Sequence, residues 1–212
     1  MNLPNKISVS RIILIPFFMA AYMLAKPFGD YWIYISAGLF AVASFTDFLD
    51  GHIARKRGLV TDVGNFLDTV ADKMLVVAAL ILIAGYTLVP QIPGIIIATL
   101  IISRELAVLA LKMIAAINKV VIVADKLGKI KAAVQLVAIP VILPAKPLDK
   151  AVGFTVTTMG MEMGVFAITG FILLAASALL ALLAAGNYFL KNKKVFQAKA
   201  KANDKLQRAN GK

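Results

Sequence analysis

The chain has 212 residues, 60% of them hydrophobic, and a mean hydropathy of +0.85. Soluble domains are only about half apolar, so these values identify a membrane protein, and at about 20 residues per helical span its length accommodates roughly six spans but no large soluble domain. The 23 Lys and Arg against 11 Asp and Glu give a net charge of +12. With no Cys and a single His, His52, disulfides, Cys nucleophiles, thiolate metal sites and sites with two or more His ligands are excluded, leaving oxygen for any metal chemistry.

The apolar runs are continuous rather than alternating, which favours helices over a membrane barrel. The expected fold is therefore all-α, a polytopic membrane protein with six transmembrane helices near residues 7–25, 32–55, 65–86, 92–116, 128–146 and 161–190. The first run follows Lys6 and Arg11, as a cleaved signal peptide would. It continues through Tyr22 and Met23 into Lys26 without a small-residue cleavage site, so a retained helix is expected. Pro27, Gly29 and Asp30 separate the first two helices, and Tyr31, Trp32 and Tyr34 read as an interfacial belt. Residues 90–94 divide the third helix from the fourth, and residues 144–153 follow the fifth. Gly160 and Gly164 have the spacing of a close helix contact, a place for a dimer.

The chain divides into a membrane domain over residues 1–190 and a basic cytosolic tail over 191–212. The tail has eight basic residues against Asp204 alone, and anionic membrane lipid rather than nucleic acid is its expected partner. With both termini in the cytosol, 20 of the 23 basic residues fall on the inner side or in the inner halves of spans, leaving Lys26, Lys146 and Lys150 outside. The opposite topology violates the positive-inside bias.

Asp47, Asp50, Asp68 and Asp72 stand at the ends of otherwise apolar helices, a costly placement that normally marks an ion or substrate site. The spacings i, i+3 and i, i+4 put each pair on one helix face, and the short link bearing Arg55, Lys56 and Arg57 makes the two helices antiparallel neighbours. The pairs can then converge into an all-oxygen cage suited to two hard divalent ions, Mg²⁺ or Mn²⁺. A competing reading pairs the acids with Arg55, Lys56, Arg57 and Lys73 at the water boundary. Gly51, Ala54 and Gly64 would let a phosphorylated ligand approach the backbone, and they would equally serve helix packing. His52 reads as an exposed loop-end residue. From these residues alone a divalent-cation transporter or a membrane anchor with a basic tail also stays open. Transport sites, however, usually lie at the bilayer midplane rather than beside a tight link.

Asp47, Asp50, Gly51, Ala54 and Arg55, followed by Gly64, Asp68 and Asp72 at their spacings, resemble the signature of the CDP-alcohol phosphotransferase family. A wider resemblance, from Asn2 to about Gln135, is to the phosphatidylglycerophosphate synthase branch. It rests on Asn2 to Arg11, Ser103-Arg104-Glu105 with Lys112, and Gly128 to Gln135. Ser8, Thr69-Val70, Lys112 and Ala132 depart from that branch's usual residues. The resemblance implies a six-helix membrane enzyme, usually a homodimer, whose active site faces the cytosol. The implied reaction transfers the phosphatidyl group of CDP-diacylglycerol to glycerol 3-phosphate and releases CMP. Sibling enzymes use inositol phosphate or serine.

By the same resemblance, Asp47, Asp50, Asp68 and Asp72 hold two divalent cations, and Asp72 also accepts the proton of the attacking hydroxyl. Asn5, Ser8, Gly51, Ala54, Arg55 and Gly64 would face the CDP donor. Arg104, Lys112, Lys129 and Lys131, in the inner halves of the fourth and fifth helices, are expected to bind the phosphate of glycerol 3-phosphate by charge-assisted hydrogen bonds. They could instead snorkel to lipid headgroups, and Glu105 is expected to orient a basic neighbour.

Overall fold

The computed structural model describes residues 3–57, 62–86, 88–117, 126–158 and 160–191. Its elements in chain order are α1 (Leu3–Phe28), α2 (Tyr31–Arg57), α3 (Asp62–Gly85), α4 (Gln91–Ile117), α5 (Lys126–Ile142), α6 (Ala145–Val152), β1 (Thr155–Thr158), β2 (Met161–Gly164) and α7 (Val165–Lys191). The long apolar stretches form helices because a helix satisfies its own backbone groups where no water can do so. α1 packs on both α2 and α3, α5 lies along α7, and α4 contacts α3 and α7. Among the described residues the direct α2–α3 contact is slight, so α1 is the common support of the two helices that carry the acids.

Phe18, Phe40, Leu80, Ile83, Ile101, Ile139 and Leu174 are fully buried, with Ala43, Ala79 and Ala138 between them. The small residues let the helix backbones approach. Phe18 and Phe40 meet edge to face at 5.9 Å, and the buried Ser36 hydroxyl donates to the Phe18 carbonyl at 2.8 Å. Large apolar side chains such as Phe17, Phe45, Ile92, Leu179 and Leu183 point outward, as lipid-facing positions do. Among the described residues, three helices are long and apolar enough to cross a membrane: Val9–Phe28, Gln91–Ile114 and Val165–Gly186. The bent pair Leu127–Ile142 and Ala145–Val152 makes a fourth if it is one span. α2 has an uninterrupted apolar stretch only over Tyr31–Thr46, and α3 takes Asp68, Asp72 and Lys73 into its early turns.

The structure corrects the all-α reading between the fifth and sixth long helices. Pro144 lies at the N-terminal boundary of α6, and the axis turns by 60° between α5 and α6. A proline disfavours helical geometry in the residue before it and lacks the N–H that would continue the ladder. The β-branched run Thr155 to Thr158 then pairs antiparallel with β2, Thr155 opposite Gly164 and Thr158 opposite Met161.

Gly160 and Gly164 are therefore in this hairpin and not on a helix. Gly160 takes φ +75° in the turn, a conformation that side chains disfavour. Gly164 is pressed against the Asp149 carboxyl group of the same chain, where an added Cβ would collide. Asp149, itself buried, accepts from the backbone N–H of Phe166 at 2.8 Å and of Ala167 at 3.1 Å, closing the start of α7. At that end of the bundle, Tyr22 and Tyr86 also meet edge to face at 5.1 Å and Lys146 donates to the Tyr86 carbonyl at 3.0 Å. Of the aromatic belt, Tyr31 and Tyr34 are exposed, and Trp32 lies beside Tyr31.

Candidate active site

The opposite end of the bundle collects the starts of α1, α3 and α5 with the later turns of α4 and α7. Among the described residues, three ion pairs and one hydrogen bond tie these helices together: Arg11–Asp68, Lys73–Glu105, Lys131–Glu105 and Arg104 to the Ala181 carbonyl. Asp68 and Asp72 stand one turn apart on α3, which places them on one face, and both side chains are 40% exposed. The Arg11 guanidinium, 1% exposed, meets Asp68 at 3.3 Å, and Lys73 meets Asp72 at 3.3 Å. Asp72 thus has the Lys73 partner of the competing reading, whereas the Arg11 contact spans 57 positions.

Asp47, Asp50, Gly51, Ala54 and Arg55 lie in the last turns of α2, and Gly64 lies in the first turn of α3. Their side-chain surroundings, like those of Asn5 and Ser8 on α1 and of His52, fall outside the described residues. Among the described residues no group of three acids converges. The accessible Asp68–Asp72 pair is nonetheless a fitting half of an oxygen-only site, since hard divalent ions take carboxylate ligands that remain open to solvent or substrate.

Glu105, 3% exposed on α4, is the centre of a cationic cluster. Lys73 reaches its Oε2 at 2.8 Å, Arg104 its Oε1 at 3.2 Å, and Lys131 the same Oε1. A burial this deep is tolerable for a carboxylate only with such partners. Beside the cluster is a cavity of about 220 Å³, with Lys73, Arg104, Glu105, Lys112 and Lys129 among its lining residues. Gly128 brings the start of α5 close to Arg104, since a Cβ there would lie 3.7 Å from the guanidinium. Lys112 and Lys129 are exposed, and among the described residues neither is paired with a carboxylate.

Of the four cations expected at the acceptor phosphate, the structure brings Arg104, Lys112 and Lys129 to this cavity. Lys131 is not on its wall: it is 3% exposed and turned to Glu105. The expectation that Glu105 orients a basic neighbour agrees with this geometry, although Glu105 holds three basic residues rather than one. Lys73 was expected only as a carboxylate's partner and also lines the cavity. Its position directly after Asp72, on the helix facing Arg104 and Glu105, was the available signal.

A helical membrane protein that gathers exposed carboxylates and a cation-lined cavity at one end has the layout of an enzyme acting on anionic substrates at a lipid interface. The chain belongs to the CDP-alcohol phosphatidyltransferase family, whose sequence profile matches residues 1–183. It is similar to the CDP-diacylglycerol–glycerol-3-phosphate 3-phosphatidyltransferase of Bacillus subtilis strain 168, at 43% identity over 176 residues covering 78% of this chain and 88% of the relative. The Rickettsia felis protein of the same description is 32% identical over 195 residues, covering 92% and 97%. A probable phosphatidylglycerophosphate synthase of Mycobacterium tuberculosis is 36% identical over 138 residues, covering 65% and 64%. The chain is accordingly a transferase of phospholipid biosynthesis.

Proposed function

We propose that this enzyme transfers the phosphatidyl group of CDP-diacylglycerol to glycerol 3-phosphate, forming phosphatidylglycerophosphate and CMP. The observation that carries the reading is the cavity lined by Lys73, Arg104, Lys112 and Lys129 beside Asp72 in a chain of this family. A pocket so rich in cations favours an acceptor that carries a phosphate and disfavours a neutral alcohol. The acceptor hydroxyl attacks the phosphorus bearing the diacylglycerol. A new P–O bond forms, the bond to CMP breaks, and the Asp72 carboxylate takes the hydroxyl proton.

Asp47, Asp50, Asp68 and Asp72 would hold two Mg²⁺ or Mn²⁺ ions. Such ions, when bound, neutralise the diphosphate and stabilise the departing CMP. Arg11 holds Asp68 against α1, which restricts where the metal-binding face of α3 can move. Asn5, Ser8, Gly51, Ala54, Arg55 and Gly64 are assigned to the CDP donor, whose tails stay in the bilayer. Arg104, Lys112 and Lys129 bind the acceptor phosphate from the cavity wall, and Lys131 supports the site through Glu105.

The proposed topology has six spans, counting α2 and α3 with the four apolar candidates. Residues 1–190 form the membrane domain, both termini and the active site face the cytosol, and residues 191–212 lie along anionic lipid. The enzyme is proposed to work as a homodimer in the cell membrane. Purified protein supplied with CDP-diacylglycerol, Mg²⁺ or Mn²⁺ and a panel of glycerol 3-phosphate, inositol phosphate and serine tests the reaction. CMP release is expected with glycerol 3-phosphate, and release with serine alone would overturn the acceptor.

A further inference from the structure

Asp72 and Lys73 are consecutive on α3, and consecutive helical side chains do not share a face. Their charged ends nevertheless meet, with Lys73 Nζ 3.3 Å from Asp72 Oδ2, while the same ammonium lies 2.8 Å from Glu105 Oε2 on α4. The second contact anchors the first. Glu105 is itself buried and held by Arg104 and Lys131, so the ammonium is tied to a fixed interior carboxylate rather than to a surface acid. One cation therefore joins the proposed proton acceptor to the wall of the acceptor cavity.

We propose that Lys73 is a positioning residue that fixes the Asp72 carboxylate beside the acceptor cavity, so that its loss impairs turnover more than it impairs acceptor binding. This rests on the reading of the site given under Proposed function. Phosphate binding survives the loss because Arg104, Lys112 and Lys129 remain on the wall. The fold survives because Glu105 retains Arg104 and Lys131. Lys129 provides the contrast: it lines the cavity without joining the Asp72–Glu105 bridge.

The test compares Lys73→Met, Lys73→Arg and Lys129→Met in the full-length purified protein. Turnover is read as CMP release, and affinity by calorimetric titration of glycerol 3-phosphate without donor. Lys73→Met is expected to lower kcat by about tenfold or more while Kd for glycerol 3-phosphate changes less than about threefold and KM for CDP-diacylglycerol less than about twofold. Lys129→Met should show the reverse balance, with affinity falling more than turnover. Lys73→Arg, which keeps the charge between the two carboxylates, should restore most of kcat.

A Lys73→Met enzyme that loses affinity but keeps kcat overturns the proposal, as does an equal loss for both substrates. If Lys73→Met does not fold, Lys73→Arg decides: folded with kcat retained supports the bridge, folded without kcat overturns it. Wild-type protein that releases no CMP with glycerol 3-phosphate overturns the underlying function instead, whatever Lys73 does.

Discussion

Glu105 on α4 and Lys131 on α5 form an ion pair in which each side chain is only 3% exposed. The pair is not symmetric in its consequences. Removing Glu105 takes from the buried Lys131 and from Arg104 the carboxylate they share and leaves Lys73 with Asp72 alone, whereas removing Lys131 leaves Glu105 with two cations. Breaking a buried pair so that charge is left uncompensated costs about 3–5 kcal/mol. Glu105→Ala should reach that range in thermal or denaturant unfolding of the detergent-purified protein, and Lys131→Met should cost clearly less. Equal destabilisation by the two changes would contradict the central place given to Glu105.

Lys112 and Lys129, which line the cavity and pair with no carboxylate among the described residues, should report on the acceptor. A hydrogen bond to a charged group contributes about 1.5–3 kcal/mol, so Lys112→Ala or Lys129→Ala should raise KM for glycerol 3-phosphate by about tenfold or more. KM for CDP-diacylglycerol should stay close to wild type, because its diphosphate is assigned to the ends of α2 and α3. A parallel rise for both substrates would point to a general electrostatic role. Both lysines are exposed, so the unfolding midpoint should hardly move.

Much of this arrangement is legible in the sequence because it depends on local rules. The apolar runs locate the six long helices seen among the described residues, and the spacing of Asp68 and Asp72 puts them on one face. What escapes is long-range. Arg11–Asp68 joins positions 57 apart, and no helical periodicity announces which of two acids one turn apart will receive a guanidinium from α1. Lys129 and Lys131 look equivalent by composition, yet they differ by about 200° around α5, so one reaches the cavity and the other the interior. The hairpin is hidden for another reason. Residues 155–164 lie between two helical runs, and the glycine spacing that suggests helix contact is equally suited to a turn and to close packing on Asp149.

The proposed chemistry makes Asp72 indispensable to turnover but not to folding. Its side chain is 40% exposed and its ion pair is with the neighbouring Lys73, so Asp72→Asn leaves no deeply buried charge behind. General-base catalysis contributes about 10²–10⁴-fold, and CMP release should fall by at least that range while the unfolding midpoint is kept. Treatment of the wild type with a chelator should likewise stop CMP release, with recovery on adding Mg²⁺ or Mn²⁺. Retained turnover in Asp72→Asn would remove this residue from the proton-accepting role.

At the other end of the molecule, Asp149 supports the start of α7 and should matter for stability alone. Its two oxygens accept from consecutive backbone N–H groups, Phe166 and Ala167, which a helix start would otherwise leave without partners. Replacing a capping side chain by alanine costs about 0.5–2 kcal/mol, and the burial of this site places Asp149→Ala toward the upper part of that range. Gly164→Ala attacks the same contact from the opposite side, since its new methyl group would collide with the carboxyl group; overpacking of this kind costs about 1–3 kcal/mol. In the double variant the methyl group occupies space the carboxyl group has vacated, so the two losses should combine to less than their sum. Unfolding of the four proteins in one detergent measures the cycle. Strict additivity would mean that Gly164 and Asp149 act separately, and CMP release at a temperature where all four are folded should be the same, because the contact lies at the far end of the bundle from Asp72.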